Sequence, residues 1–229
     1  MATLYHHPLC PHSRFVRLVL GELGMEPVLV EEKTFERRPE FLMLDPAGQT
    51  PVLVEEPLPA IPGAGIIAEY LDETRGLALD HRLLPEGPAE RVEVRRLMNW
   101  FNVKFFDEVS GLLVTEKVYK RYMPQQLGGG APDMSAVRAG RNNLRYHLRY
   151  IGWLAGHRNW LAGDRLTYAD LAAAAHLSCV DFLGDVPWTE DEAAKAWYAR
   201  VKSRPSMRPL LADRLPGLTP SPAYADLDF

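Results

Sequence analysis

The chain has 229 residues, of which 47% are hydrophobic and 24% are charged, and its formal net charge is −4. This is the composition of a globular protein with a full core, and the lack of basic excess argues against a dedicated nucleic-acid or membrane-surface binder. No apolar run reaches the roughly 18 residues of a membrane span, and the N-terminus lacks the basic and apolar segments of a signal peptide.

The first predicted elements are a short strand, a tight turn and a helix that begins beside a cysteine. Pro11 suits the first helical position, where its missing N–H group costs nothing. Cys10 then faces the free N–H groups of the helix start, which lower a thiol pKa and favour the reactive thiolate. Cys10 is either a catalytic thiolate or a cysteine that merely begins a helix. The other cysteine, Cys179, is distant in sequence, so we expect reduced thiols and a cytoplasmic protein.

The rest of the first third predicts a small α/β domain over residues 1–75. Its first helix carries apolar residues at helical spacing, with Arg14 and Arg17 on the opposite face, and Gly24 ends it. A strand, a short helix after Pro39, a third strand and a final helix follow. Pro51 directly precedes the third strand and is a candidate for a cis peptide bond.

Residues 76–88 are rich in glycine and proline and predict a linker, and residues 89–229 predict an all-helical domain. Thr167 and Asp170 have the spacing of a capping box before a very apolar helix. Thr189 and Glu192 have the same spacing before the next helix. The final segment, residues 213–229, has the composition of a loose end, and we expect it to be docked on the domain.

Three motifs together resemble the glutathione transferases: the Cys10–Pro11 helix start, the loop Asp45–Leu53, and the helix segment Ile66–Leu71. The Gly163–Asp170 segment adds an element of that family's C-terminal core. The resemblance implies a thioredoxin-like N-terminal domain followed by an all-α domain, assembled as a homodimer. It also implies a ligand cleft that includes Thr50, Pro51, Gly63 and Ala64.

One departure from the family concerns the start of the predicted helix that contains Tyr70. The family has a Glu-Ser or Asp-Ser pair there, which holds the γ-glutamyl end of glutathione at a helix N-terminus. Here the two positions are Gly63 and Ala64, whose side chains make no hydrogen bonds. Each lost charged contact weakens binding by about 1–3 kcal/mol. We therefore expect weak or absent glutathione binding, and no cofactor.

If the protein is an enzyme, the resemblance assigns the reaction to Cys10 as the nucleophile of a glutathione-dependent thiol transferase. Ser13 and Tyr5 are the alternative activating hydroxyls, although Tyr5 lies within a strand and is better explained by packing. His6 and His7 are neighbours in a strand and point to opposite faces, so no metal site with Cys10 is expected.

The whole chain, from its first strand to its last residue, also resembles the glutathione-transferase-like cell-division proteins of alphaproteobacteria, which bind FtsZ. The resemblance implies a non-catalytic protein that binds FtsZ filaments at the division site and regulates their curvature and constriction. We expect the partner contacts to come from two places, an exposed loop and the acidic, apolar end of the chain. Their residues are Arg37 and Arg38 in the loop, and Tyr224, Asp226, Leu227, Asp228 and Phe229 at the end.

Overall fold

The structure is a computed structural model that describes residues 2–80 and 82–227. Its N-terminal part contains a mixed sheet with strand order β2-β1-β3-β4, in which β1 pairs parallel with β2 and antiparallel with β3, and β3 pairs antiparallel with β4. This is the predicted thioredoxin-like arrangement. The elements are β1 (Thr3–His6), α1 (Pro11–Glu22), β2 (Val28–Glu31), α2 (Pro39–Leu44), β3 (Val52–Val54), β4 (Ile61–Pro62) and α3 (Ala64–Arg75).

Helix α1 begins as the sequence predicts, with Cys10 as its N-cap residue and Pro11 in its first turn. It ends before Gly24, whose φ of 66° lies in the left-handed region that glycine adopts without strain. The predicted polar face is wrong, because Arg14 and Arg17 are both buried. They face the second domain, so α1 is covered on two sides rather than one.

The C-terminal part is all helical, as predicted. Its first helical run is continuous from α4 into two wide π-helical segments, and a loop with Gly128–Gly130 follows it. The elements are α4 (Pro88–Asn99), a first π segment (Trp100–Ser110), α5 (Gly111–Val114), a second π segment (Thr115–Tyr119), α6 (Lys120–Tyr122), α7 (Met134–His157), α8 (Tyr168–Phe182), α9 (Glu192–Lys202) and α10 (Arg208–Leu211). In the described part of the chain, none of the helices has the length and apolarity to cross a membrane.

Helix α8 is the centre of this part, and every one of its residues is buried. It starts with the predicted capping box, in which Thr167 accepts from the backbone of Ala169 and Asp170 accepts from the backbone of Thr167. The predicted second box is wrong: α9 is capped by Asp191, which accepts from the backbone N–H of Ala194 at 2.9 Å.

The two parts share one continuous hydrophobic core, and α1 packs along α8. The ring of Tyr168 meets Phe15 edge-on at 6.1 Å, and its hydroxyl donates to the backbone oxygen of Ala68. Leu83 in the connecting segment accepts from the backbone N–H of Tyr168. These contacts fix α1 and α3 against the helical domain, so the cleft between them has defined walls.

Candidate functional site

Cys10 lies at the turn from β1 into α1 and is 7% exposed. Its backbone N–H donates to the carbonyl of His7 at 3.0 Å, and its carbonyl accepts from Arg14 in the first turn of the helix. The thiol points toward the loop before β3, where it donates to the backbone oxygen of Thr50 at 3.7 Å. A small cavity of about 220 Å³ opens beside it, lined in part by His12, Phe106 and Tyr119.

The electrostatic surroundings of Cys10 favour its thiolate. Burial acts to raise the pKa of the thiol, but the hydrogen bond and charge of His12, with contacts to Ser13, bring it down to about 7. For His12 burial acts to lower the pKa, whereas the contact with Cys10 and the carbonyl of Asn102 raise it. The other thiol, Cys179, is buried and its pKa is raised to about 12.

The predicted cleft residues Thr50, Pro51, Gly63 and Ala64 line a larger cavity of about 660 Å³, together with His12. The Thr50–Pro51 peptide bond is cis, as predicted. The Pro51 carbonyl accepts from the N–H of Gly63 at 3.0 Å, which joins the loop to the start of α3.

The start of α3 carries no side-chain cap. The N-cap residue is Gly63, with φ 88°, which has no side chain to accept from the first backbone N–H groups of the helix. The cleft wall continues with the apolar Ile66, 61% exposed, and then with the ion pair between Glu69 and Arg95 at 2.9 Å. No acidic or hydroxyl side chain therefore stands at the two positions that the family uses for glutathione.

Ser13 is the second residue that the sequence assigns to a catalytic role, and it does not face the cleft. It is fully buried in α1, where its hydroxyl accepts from the backbone N–H of His7 at 3.4 Å. Its contact with Cys10 helps to lower the thiol pKa. Ser13 can therefore support the thiol but cannot present a hydroxyl to a ligand in the cleft.

The histidines before Cys10 serve local structure. His7 accepts from the backbone N–H of Leu9 through Nδ1 at 3.2 Å. His6 is 5% exposed, and its Nδ1 has no hydrogen-bond partner. Burial lowers the pKa of both to about 4, assisted by Arg17 at His6 and by Arg14 at His7. Within residues 2–80 and 82–227, no three His, Cys, Asp or Glu residues are grouped as metal ligands.

Tyr224 corrects the sequence interpretation of the chain end, because it is buried and cannot contact a partner. Its ring meets Phe182 edge-on at 5.1 Å. Its hydroxyl accepts from Arg14 at 2.9 Å and donates to the carbonyl of Leu210 at 2.7 Å. Asp226 and Leu227, which follow, are exposed, and Asp228 and Phe229 lie outside the described residues.

The predicted loop residues Arg37 and Arg38 differ in setting. Arg37 is exposed and has a left-handed backbone conformation, φ 46°. Arg38 is anchored by the buried Glu32, with an N–O distance of 2.5 Å. Arg38 lines a groove of about 540 Å³, and Leu215 and Pro216 of the final segment form part of the same groove. The structure therefore brings the arginine loop and the base of the final segment together.

Sequence reasoning missed the buried polar residues that support these features. Asn102 and His176 contact His12 or its neighbours, and Asp213 pairs with Arg14 and Arg17. Their partners lie 66 or more residues away in sequence, so no local spacing marks them. The surroundings of Arg14 in the sequence gave no signal either, because His12, Ser13 and Arg17 make that stretch polar.

Comparisons with known proteins agree with this geometry. The family model described as glutathione S-transferase, N-terminal domain, matches residues 4–79, and glutathione S-transferase, C-terminal domain, matches residues 113–205. FtsZ-localized protein A of Caulobacter vibrioides is 50% identical over 230 residues, which cover 99% of this chain and 98% of that protein.

Solved structures give the same result. A structure described as glutathione S-transferase from Sinorhizobium meliloti 1021 has a TM-score of 0.98 and 53% identity, with all of both chains covered. The structure of FzlA from C. crescentus has a TM-score of 0.92 and 49% identity, and covers 100% of this chain and 99% of that one.

Proposed function

This chain belongs to the glutathione S-transferase family, and we propose that within this family it is a non-catalytic cell-division protein that binds FtsZ filaments and regulates their curvature and constriction. The observation that carries the proposal is the 50% identity to FtsZ-localized protein A along 99% of the chain. The start of α3 supports the proposal, because Gly63 and Ala64 have no polar side chain that could contact glutathione. In the cell, the protein would be cytoplasmic and recruited to the division site.

The surface that would contact FtsZ lies around the arginine loop and the end of the chain. Arg37, Asp226 and Leu227 are exposed, and Arg38 is 42% exposed while held by Glu32. Tyr224 anchors the final segment instead of binding the partner, so the exposed Asp226 and Leu227 follow a fixed point. Asp228 and Phe229 belong to the same proposed contact on sequence grounds.

Co-sedimentation with polymerised FtsZ tests the proposal. The wild-type protein should pellet with the polymer, and Asp226→Lys and Asp228→Lys should lose most of the bound fraction because the charge at the contact is reversed. Asp164→Lys is a matched control with the same charge change at another exposed aspartate. Asp164 lies just before the start of α8, whereas the final segment contacts the end of α8. The length of α8, about 20 Å, separates the two places. Normal pelleting of both tail variants would contradict the proposed contact.

A homodimer is part of the proposal, and exposed apolar residues on α3, on α4 and on the first π segment support it. Val92 is 66% exposed, and Val103, three helical turns further along, is 49% exposed on the same stripe. The exposed Ile66 on α3 lies beside this stripe, because both Ile66 and Val103 line the main cleft. Light scattering should give the mass of two chains for the wild type and of one chain for Val92→Glu; a wild-type monomer would refute the dimer.

A second candidate function is thiol transfer, and the lowered pKa of Cys10 is the observation that favours it. The Cys10 thiolate would attack one sulfur of a small disulfide, forming a mixed disulfide and releasing the other half as a thiolate. The proton that Cys10 gave to His12 would then pass to the leaving thiolate. Glutathione is the thiol that the family uses. Because Gly63 and Ala64 at the start of α3 have no polar side chain, we expect the protein to bind it weakly.

Calorimetric titration with glutathione separates the two candidates. We expect no binding heat at millimolar glutathione, because the γ-glutamyl contacts are missing at Gly63 and Ala64. Binding in the micromolar range would contradict the non-catalytic proposal and favour the transferase. The Cys10→Ser variant is the control, since it removes the thiol and leaves the rest of the cleft unchanged.

A further inference from the structure

The first π-helical segment, Trp100–Ser110, brings a residue of the helical domain to the Cys10 turn. The backbone oxygen of Asn102 lies 2.8 Å from Nε2 of His12, 90 residues away in sequence. π-Helical turns within α-helices occur frequently at functional sites. Here the presented group is a carbonyl that faces the residue two positions after the cysteine.

This contact fixes the protonation of the His12 ring. A backbone carbonyl can only accept, so Nε2 of His12 must carry the proton that it donates to Asn102. In the neutral ring Nδ1 is then left without a proton, and it is the nitrogen available to the Cys10 thiol. The ring is held further by Phe106, whose centroid is 4.6 Å away, and by an edge-on contact with His176 at 5.3 Å.

Asn102 is itself held by a buried network. Its side-chain oxygen lies 3.1 Å from Nε2 of His176, and Nδ1 of His176 lies 2.7 Å from the Ser110 hydroxyl. His176 and Ser110 are fully buried. If the Asn102 amide oxygen accepts from Nε2, the Ser110 hydroxyl donates to Nδ1, so both ring nitrogens of His176 have a partner. The network therefore ties the Asn102 turn to α8.

We propose that Asn102 is a positioning residue: its turn holds His12 as the proton acceptor of Cys10, so the thiol site is complete only when the helical domain is packed against the N-terminal domain. The proposal rests on the second candidate function, because it concerns the same thiol. The ligand class is a small disulfide, whose one sulfur reaches Cys10 through the adjoining 220 Å³ cavity.

The other ionisable groups near the site do not replace His12. Tyr119 contacts Cys10, and its pKa is raised well above its ordinary value by burial, so it stays neutral. Burial also keeps His176 neutral, with His12 and His147 adding to the effect. Asp107 acts on His12 from the π segment and favours its charged form. Cys179 has a raised pKa and remains a thiol.

The test is the pH dependence of iodoacetamide alkylation, followed separately for the Cys10 and Cys179 peptides by mass spectrometry. In the wild-type protein the Cys10 rate should follow an apparent pKa near 7, while Cys179 reacts slowly throughout. In His12→Phe, which retains an aromatic ring, the apparent pKa should rise to 8.5 or above, about the value of a free thiol. The Asn102→Ala and Asn102→Leu variants keep the backbone carbonyl but lose the side-chain contact with His176 that holds the turn in place. The displaced carbonyl then supports the charged His12 less well, so the apparent pKa of Cys10 should rise by at least about half a unit.

Asn99→Ala is the matched control, because Asn99 lies one turn earlier, lines the same cleft and has no contact with His12 among those described. It should leave the Cys10 pKa unchanged. Circular dichroism melts identify an Asn102 variant that fails to fold. If one of the two variants does not fold, the Cys10 pKa of the other variant is the test. An unchanged pKa in folded Asn102 variants would overturn the positioning role alone. A wild-type Cys10 pKa near 9 would overturn the thiol site as well, and with it the transferase candidate.

Discussion

At the scale of single residues, Arg14 has the most unusual environment. It is fully buried, yet it donates to the Pro8 carbonyl at 2.6 Å, to the Ser178 hydroxyl and the Tyr224 hydroxyl at 2.9 Å, and to the carboxylate of Asp213 at 3.3 Å. A buried charge is tolerated only when it is paired and its donors are bonded. Arg14 therefore joins the Cys10 turn, helix α8 and the final segment in one network.

Variants of Tyr224 should separate its packing from its hydrogen bonds. Tyr224→Phe keeps the ring against Phe182 but loses the hydroxyl, and should lower the free energy of unfolding by about 1–3 kcal/mol. Tyr224→Ala also leaves a cavity and should lower it by about 3–5 kcal/mol. Urea denaturation measures both. Leu227→Ala is the control, because Leu227 is 46% exposed; an equal loss in all three variants would disprove the anchor.

The buried histidines predict a loss of stability in mild acid. The folded-state pKa of His6 and His7 is about 4, below the ordinary 6.5, so the unfolded chain binds their protons first as the pH falls. The free energy of unfolding should therefore drop between pH 6.5 and 4, by about 3 kcal/mol for each histidine. Denaturation at pH 7 and pH 5 measures most of the drop, about 2 kcal/mol for each histidine.

His6→Leu should make that pH dependence shallower, because it removes one of the buried histidines whose pKa is lowered by folding. His157→Gln is the control, since His157 is exposed on α7. A pH dependence that is equal in wild type and His6→Leu would show that His6 titrates normally in the folded protein.

At the scale of elements, the π-helical segment depends on a glycine. Gly111 ends this segment, and a Cβ at this position would lie 2.7 Å from the backbone oxygen of Phe106. Gly111→Ala should therefore lower the free energy of unfolding by about 1–3 kcal/mol, even though alanine is the better helix former.

Gly156 in α7 is the matched control, because a Cβ there would meet nothing within 4 Å. Gly156→Ala should raise the free energy of unfolding by about 0.5–1 kcal/mol through helix propensity. Thermal melts of the two variants give the comparison. A stabilising effect at both positions would mean that the π turn tolerates a side chain.

At the scale of the whole molecule, the final segment acts as a strap across both domains. Asp213 pairs with Arg14 and Arg17 of α1. Ser221 bonds the carbonyls of Phe182 and Asp181 at the end of α8, and the Ala223 carbonyl accepts from Lys202 of α9. Residues up to Tyr224 therefore belong to the fold, and Asp226 and Leu227 after it are exposed.

Two truncations should divide stability from partner binding. A chain that ends at Tyr224 should stay within about 1 kcal/mol of the wild type and should no longer pellet with FtsZ polymer. A chain that ends at Ala212 removes the carboxylate and hydroxyl that hold the buried Arg14, and should lose about 3–5 kcal/mol. Urea denaturation and co-sedimentation of both chains test this; equal stability of the two would contradict the strap.

The sequence by itself determined the features whose interactions are local. Pro11 fixes the start of α1, Thr167 and Asp170 cap α8 over three residues, and Gly24 ends α1 in a left-handed conformation. Short-range steric and hydrogen-bond preferences decide these positions, so their spacing is readable without a partner. The sequence also determined that α3 starts without a polar side chain, because the residues at its first positions are Gly63 and Ala64.

Only the tertiary structure decided which polar residues are buried and what they bind. Arg14 meets Tyr224 across 210 residues, and His12 meets Asn102 across 90. An arginine on a helix is normally a surface residue, and nothing in its neighbourhood in sequence shows that another segment will cover it. For this reason the sequence predicted a thiol turn and a docked final segment with Tyr224 as a partner contact, whereas folding made Tyr224 an anchor and joined Cys10 to the helical domain through His12.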